Sequence, residues 1–247
     1  MQFNKHVEEK LIMKMFRDAY QDFPKGRLVK SESPDFFLRE ARKKKTGIEL
    51  TRLHDGNHDA NNPAEVMTTE SYLVQKTSRN FYNKHNKPLL VKFFFNERPI
   101  EREDTDIYAD FLSLYIEKLL DTISLKSLNI LEVHDKLPDF LDGIALISHP
   151  DFKESCWSPA KNFLIYDLNR DILQNTINLK EEKLKLYQSR DFDKYWLVIS
   201  TLKINPGKKF NIRNKIEKWS FQSGFDRILL YEILSNRVFE LNTPGSE

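Results

Sequence analysis

The order of helix and strand patterns in the first 95 residues restricts the fold more than any other feature of the sequence. Apolar residues recur at helical spacing over residues 3–20, which predicts an amphipathic helix. Three short strands are predicted after it, at 27–31, 34–39 and 47–53. A second helix is predicted from Pro63 to about His85, and the apolar run Leu89–Phe95 is typical of a buried strand. This order predicts an α/β fold with a central mixed β-sheet flanked by helices.

The rest of the chain is predicted to elaborate that sheet. We expect one domain over residues 1–247, with a core at about 3–95 and elaborations at about 96–247, because no Gly/Ser-rich or Pro-rich linker divides the sequence. The patterns after residue 95 predict helices at 106–123 and 169–188, a short basic helix at 210–219, and strands at 129–134, 143–148, 195–201, 227–232 and 237–241.

Length and composition favour a soluble, cytoplasmic protein. A chain of 247 residues with 40% hydrophobic content can bury a sizeable core. Its 39 basic and 37 acidic side chains leave a net charge of +2, so a surface for an anionic polymer must come from local clustering. The single cysteine, Cys156, fits a reducing compartment. The charged first twenty residues exclude a signal-peptide core, and no apolar run approaches the roughly 18 residues of a membrane span.

Two carboxylates are predicted to converge on neighbouring strands. Asp35 follows Pro34 at the start of one strand, and Glu49 lies fourteen positions later on the strand that is expected to pair with it. Carboxylate oxygens at a sheet edge suit Mg²⁺ or Mn²⁺ better than imidazole or thiolate would. Such an ion polarises a phosphoryl oxygen and lowers the pKa of bound water. The alternative interpretation is that Asp35 is a turn acceptor and Glu49 a solvated strand residue.

The segments SPDFFLRE and KTGIELTRL together resemble the PD-(D/E)XK nuclease superfamily, which has a restriction-endonuclease-like core of order αβββαβ. More narrowly, they are similar to a bacterial subgroup with Glu-x-Thr in place of Glu-x-Lys. The segments DILQNTINLKEEKLKLYQ, DKYWLVIST and FDRILLYEILSNRVFEL are similar to the closing half of the same subgroup. The resemblance implies a Mg²⁺- or Mn²⁺-dependent DNA endonuclease in restriction, defence or mobile-element biology.

The resemblance also implies further metal ligands. The Leu50 carbonyl is one, and a carboxylate of the first helix is another. Glu8 lies within the apolar arc of that helix and Glu9 at its edge, so Glu8 is the better candidate. A buried carboxylate needs a partner, and a metal or a nearby lysine would serve. A structural ion pair is therefore the equal alternative for Glu8.

The motif lysine, which helps to position the attacking water, is replaced by Thr51. Both Lys180 and Lys183 project from the apolar face of the helix predicted at 169–188. Either their stems snorkel to the surface, or one or both point at the carboxylates or a substrate phosphate. We expect Lys180, nearer the centre of the apolar stripe, to be the stronger candidate for the catalytic cation.

Several weaker candidates surround this site. The basic turn with Lys43, Lys44 and Lys45 can grip backbone phosphate or be a solvated hairpin tip. Gln75, on the flank of the second predicted helix, can contact substrate or be a surface residue. His54 and His58 have zinc-like spacing, but the turn between them favours a loop beside the site.

The sequence therefore predicts hydrolysis of a phosphodiester bond by water. Asp35, Glu49, the Leu50 carbonyl and Glu8 would hold Mg²⁺ or Mn²⁺, and Lys180 or Lys183 would replace the motif lysine. Nucleic acid, DNA first, is the expected partner, no membrane is expected, and a homodimer or a partner subunit stays open. A catalytically inactive nucleic-acid- or partner-binding module is the second hypothesis, and a hydrolase of nucleotides or other small phosphates the third.

Overall fold

The structure is a computed structural model that describes residues 5–53, 68–123, 126–161, 164–187, 192–201, 208–211 and 216–243. The α-helices in these ranges are α1 (Lys5–Ala19), α2 (Thr69–Tyr82), α3 (Thr105–Leu120) and α4 (Arg170–Tyr187). The strands are β1 (Gly26–Lys30), β2 (Phe36–Glu40), β3 (Lys45–Arg52), β4 (Leu90–Phe95), β5 (Asn129–Val133), β6 (Leu141–Ser148), β7 (Cys156–Lys161), β8 (Leu164–Asp167), β9 (Lys194–Ser200), β10 (Lys208–Asn211), β11 (Arg227–Glu232) and β12 (Arg237–Leu241). Short 3₁₀ turns lie at Ala41–Lys43, Arg102–Asp104 and Ile216–Lys218.

The strands form two larger sheets and one pair. One sheet has the order β1-β2-β3-β9-β11-β12, and the other has the order β5-β6-β4-β7. Strands β8 and β10 form the pair. Both larger sheets are mixed, because β3, β9 and β11 run parallel, as do β4 and β7, while the other pairings are antiparallel. The protein is thus α/β, with mixed sheets flanked by helices.

The chain separates into two compact units. The first contains the described residues of Met1–Leu11, Asp59–Leu164 and Lys203–Lys208, and the second those of Ile12–His58, Ile165–Leu202 and Lys209–Glu247. The second unit carries the six-stranded sheet with α4, and the first carries the four-stranded sheet with α2 and α3.

The core of the first unit lies between its sheet and the helices α2 and α3. Strand β4 is central in that sheet and is buried along its whole length. Its alternate residues Val91, Phe93 and Phe95 face this core, as period-two alternation requires. Phe81 of α2 packs on Trp157 of β7, with ring centroids 5.3 Å apart. Thr68 caps α2 by accepting a hydrogen bond from the Ser71 amide at 3.2 Å.

The core of the second unit lies between its sheet and α4. Leu173, Ile177 and Leu184 recur at helical spacing and are buried, so one face of α4 covers the sheet. They pack with Leu197 and Ile199 of β9, the strand next to β3. Because this face packs on the sheet, the rotation of α4 about its own axis is set. That rotation determines which of its other side chains point at β3.

The expectation of one central sheet made from the first 95 residues was wrong. Strand β4 joins β6 and β7 rather than the sheet of β1, β2 and β3. The run from Leu90 to Phe95 is apolar on one face and, apart from Lys92, on the other, and such a pattern identifies a buried strand without identifying its neighbours. The helix that packs on the six-stranded sheet is instead α4, and the strand that pairs with β3 is β9. Helix, three strands, helix and strand therefore occur in the second unit as the part of α1 from Ile12 onwards, β1–β3, α4 and β9.

Other predicted elements agree with the structure to within a few residues, with three differences. Residues 208–211 form β10 where the start of a basic helix was predicted, and strands β7 and β8 were not anticipated. Helix α2 begins at Thr69, and its predicted start at Pro63 lies outside the described residues. No helix in the described ranges is long and apolar enough to cross a membrane.

Candidate functional site

Strands β2 and β3 place Asp35 and Glu49 beside one another. Their antiparallel pairing ends at Phe36 and Ile48, so Asp35 lies just beyond β2, alongside the continuing strand β3. There the Leu50 amide donates a hydrogen bond to Asp35 Oδ2 at 2.9 Å. Lys30 Nζ lies 3.9 Å from the other oxygen, Oδ1. The Asp35 carboxylate is thus held at the edge of β3, one residue from Glu49.

Helix α4 supplies three partners for the Glu49 carboxylate. Lys180 Nζ lies 3.0 Å and Lys183 Nζ 3.4 Å from Glu49 Oε1. The Tyr187 hydroxyl donates to Glu49 Oε2 at 2.8 Å. Spacings of three and four residues put these three side chains on one side of the helix. We call Asp35, Glu49, Lys180, Lys183 and Tyr187 the Glu49 cluster.

The charges of the Glu49 cluster are stabilised by one another. Glu49 has an exposed fraction of 1%, Lys180 of 15% and Lys183 of 52%. Burial favours the neutral form of Glu49, but the charge of Lys180 and hydrogen bonds from Lys180 and Tyr187 outweigh it, so the pKa of Glu49 is lowered. Glu49 is therefore an anion at neutral pH.

The same interactions shift the pKa values of Lys183 and Tyr187. Burial works to lower the pKa of Lys183, but the charge of Glu49, the hydrogen bond to Glu49 and the charge of Asp35 raise it overall. Burial, followed by the charge and hydrogen bond of Glu49, raises the pKa of the Tyr187 hydroxyl. Lys183 thus stays cationic and Tyr187 stays a neutral donor.

The structure brings together five of the residues singled out from the sequence: Asp35, Glu49, Leu50, Lys180 and Lys183. Thr51 lies two residues after Glu49 on the same strand face and is buried. Strand β3 thus has a threonine and not a cation two residues after Glu49, and the ammonium groups reach Glu49 from α4. Lys180 points at Glu49 rather than into solvent.

Glu8 has a different partner. It lies in the first unit, where Lys92 Nζ contacts Glu8 Oε1 at 2.8 Å, and both side chains are at most 1% exposed. Lys92 alternates away from the face of β4 that carries Phe93 into the core. This is the structural ion pair that the sequence analysis held as the alternative for Glu8. Its role as a metal ligand stays a prediction.

The weaker candidates come from other segments of the chain. Lys43 and Lys44 are exposed at the turn between β2 and β3, and Lys45 opens β3 and is partly buried. Gln75 lies on α2 in the first unit. His54 and His58 lie outside the described residues.

The candidate metal ligands of this site are oxygen atoms, which are the ligands that Mg²⁺ prefers. That ion commonly takes one or two carboxylates and fills its remaining positions with water and substrate phosphate. Asp35 and Glu49 supply two carboxylates. The Leu50 carbonyl points to the same side of β3 as the amide that binds Asp35, because both groups of a strand residue share a direction. Within the described ranges, no three His, Cys, Asp or Glu side chains group closely enough to bind a metal by themselves.

Comparisons with known proteins add no family to this description. No family model matches the chain, and neither a curated protein nor a solved structure matches it. The resemblance to PD-(D/E)XK nucleases therefore stays a prediction from the sequence.

Sequence reasoning missed Tyr187 as a member of the cluster. It was assigned to the apolar stripe of α4, although its position four residues after Lys183 aligns it with both lysines. The Tyr187 hydroxyl donates a hydrogen bond to Glu49. The backbone carbonyl of Tyr187 accepts a hydrogen bond from the Tyr195 hydroxyl at 2.7 Å. A tyrosine aligned with two inward lysines was the available signal.

The ion pair between Glu8 and Lys92 can be tested by stability measurements. Lys92→Met leaves the Glu8 carboxylate buried without its ammonium partner, and we expect it to lower the free energy of unfolding by about 3–5 kcal/mol. The double variant Glu8→Leu/Lys92→Met removes both charges and should be within about 1 kcal/mol of the wild type. Urea denaturation measures both. A double variant no more stable than Lys92→Met would contradict the pairing.

The lowered pKa of Glu49 predicts a pH-dependent contribution to stability. Because the carboxylate is favoured in the folded state, its contribution is complete above the unfolded pKa of about 4.3 and is lost as the pH falls through the lower folded value. Wild type should therefore exceed Glu49→Gln in unfolding free energy by on the order of 1–3 kcal/mol at pH 7, and the difference should shrink in acid. Glu182→Gln, at an exposed position of α4, controls for the change in net charge. A difference independent of pH would refute the assignment.

Proposed function

We propose that this protein is a metal-dependent nuclease of the PD-(D/E)XK type, which hydrolyses phosphodiester bonds in nucleic acid, DNA first. One observation carries the proposal: two lysines of α4 meet one oxygen of Glu49, while Asp35 is fixed to the next residue of the same strand. Two carboxylates for a hard cation, with ammonium groups within hydrogen-bonding reach, supply what phosphodiester hydrolysis requires.

The second unit begins at Ile12, within α1, and its topology supports the proposal. The order α1, β1–β3, α4, β9 is the αβββαβ order of a restriction-endonuclease-like core, and β9 runs parallel to β3. On this interpretation, residues 59–164 of the first unit are an insertion between β3 and α4. The core of the proposed nuclease is thus interrupted in sequence, rather than confined to the first 95 residues.

Each residue of the cluster has a proposed role. Asp35, Glu49 and the Leu50 carbonyl hold Mg²⁺ or Mn²⁺, which supplies Lewis acidity and lowers the pKa of the attacking water. Lys180, the more buried lysine, orients Glu49 and balances its charge. Lys183 is half-exposed, and the charge of Asp35 is among the interactions that raise its pKa. It is therefore the cation that we propose to contact a substrate phosphate.

A second function is favoured by a separate observation. Both oxygens of Glu49 already have partners, Lys180 and Lys183 on Oε1 and Tyr187 on Oε2. A metal ion has to compete with these contacts. A protein that keeps the fold to bind nucleic acid without cutting it would keep Glu49 neutralised in this way.

Cleavage assays separate the two functions. The purified protein is incubated with circular and linear DNA and with RNA, in Mg²⁺ or Mn²⁺, beside Asp35→Ala, Glu49→Ala, Lys180→Met and Lys183→Met. We expect the wild type to cut and both carboxylate variants to be inactive, because the ion loses a ligand. The lysine variants should lose about 100-fold or more in rate, as when a charge-stabilising donor is removed.

The matched control is Lys185→Met, which removes an exposed ammonium group from the same helix. It should cut like the wild type. Cleavage that persists unchanged in Asp35→Ala and Glu49→Ala would disprove the site. Absence of cleavage in every condition, with salt-sensitive binding of nucleic acid retained, would favour the binding module.

A further inference from the structure

A group of aromatic rings lies next to the Glu49 cluster on the same face of the six-stranded sheet. Asp35 immediately precedes β2, and Phe37 is the second residue of that strand. Phe37 pairs across the ladder with Gly47, which shares the face of Glu49 on β3. The ring centroid of Phe192 lies 6.0 Å from that of Phe37, with the rings tilted by 48°.

The Phe192 ring lies close to the backbone of Gly47, which has no side chain. A Cβ added to Gly47 would lie 3.5 Å from Phe192 Cγ and 3.3 Å from Tyr195 Cδ1. The absence of a side chain at Gly47 therefore lets the Phe192 ring lie close to the sheet. The Tyr195 ring packs edge-on against the Phe192 ring, with the two ring centroids 5.8 Å apart. We call Phe37 and Phe192, with Arg39, the aromatic platform.

The aromatic platform is neither core nor purely apolar surface. Phe37 and Phe192 are partly exposed, unlike the buried neighbours Phe36 and Leu38. The exposed Arg39 guanidinium lies over the Phe37 ring at 5.2 Å from its centroid. Lys43 and Lys44, also exposed, follow at the turn after β2. Aromatic faces flanked by cations are the combination that binds bases and phosphates of an unpaired strand.

We propose that the aromatic platform stacks a base of single-stranded nucleic acid beside the scissile phosphate, so that the preferred substrate is single-stranded or frayed. The inference rests on the proposed function for the identity of the site. A base inside a duplex has its faces covered by its neighbours, so only an unpaired or flipped base can lie on Phe37 or Phe192. Arg39, Lys43 and Lys44 contact the backbone on either side of that base.

Binding without metal tests this separately from cleavage. A short fluorescein-labelled oligothymidylate and a labelled DNA hairpin duplex are titrated with full-length protein in EDTA, and anisotropy is measured. We expect tighter binding of the single strand, and about a tenfold loss of that affinity in Phe37→Ala and in Phe192→Ala. Phe37→Leu keeps apolar bulk without a flat π-face and should lose affinity to a similar degree. Thermal melts verify that each variant is folded.

Phe111→Ala is the matched control, because it removes an exposed aromatic ring from α3 in the first unit. It should bind the oligothymidylate like the wild type. Unchanged single-strand affinity in folded Phe37→Ala and Phe192→Ala would overturn the proposal, as would duplex binding as tight as single-strand binding. Loss of cleavage with intact platform-dependent binding would instead count against hydrolysis alone, so the two failures are distinguishable.

Discussion

The burial of one carboxylate, that of Glu49, determines how the rest of the second unit is arranged. A carboxylate with 1% exposure is costly unless cations and hydrogen-bond donors meet it. Helix α4 meets it with Lys180, Lys183 and Tyr187, and can do so only if its apolar stripe lies on β9 beside β3. The position of the helix, its rotation and the parallel pairing of β3 with β9 are therefore linked through a single side chain.

The first unit has a similar interaction with a different consequence. Glu8 and Lys92 are both buried and neutralise each other, and burying them together makes any metal at Glu8 a competitor of Lys92. Glu49, by contrast, shares its oxygens with a lysine that is 52% exposed. An exposed ammonium group can move to an incoming phosphate at small cost, whereas Lys92 cannot leave its partner without stranding it in the core. The ion pair of the first unit is thus buried on both sides, whereas that of Glu49 with Lys183 is exposed on the lysine side.

The sequence was informative where local periodicity sufficed. The hairpin of β2 and β3 and the inward direction of Lys180 and Lys183 follow from alternation along strands and helical spacing. Contacts across the chain were harder, since Lys180 and Glu49 are 131 positions apart and only the family resemblance suggested that they meet. The sheet that β4 joins could not be predicted, because a strand that is apolar on one face and, apart from Lys92, on the other can pair with many neighbours.

The contacts of two residues, Lys92 and Tyr187, were not predicted from the sequence, because apolar periodicity does not take single polar atoms into account. Lys92 interrupts the apolar run from Leu89 to Phe95, and a cation inside a buried strand requires an anion, which the apolar arc of α1 offered in Glu8. Tyr187 was assigned to the core by its ring, but its hydroxyl is a hydrogen-bond donor that needs an acceptor when buried. In both cases the polar atom on an otherwise apolar face identified the contact.

The excess of positive charge around the two carboxylates has a direct chemical consequence. Among the described residues, Lys30, Lys180 and Lys183 each place an ammonium group within 4 Å of an Asp35 or Glu49 oxygen. A divalent cation added to this set makes the site more positive, and only an anion can restore the balance. In the proposed function, a phosphodiester would bring one negative charge in the ground state and develop more in the transition state, so these cations would stabilise the transition state. If Thr51 stands where the PD-(D/E)XK motif has its lysine, as the resemblance implies, α4 supplies two ammonium groups in place of that one, Lys180 and Lys183.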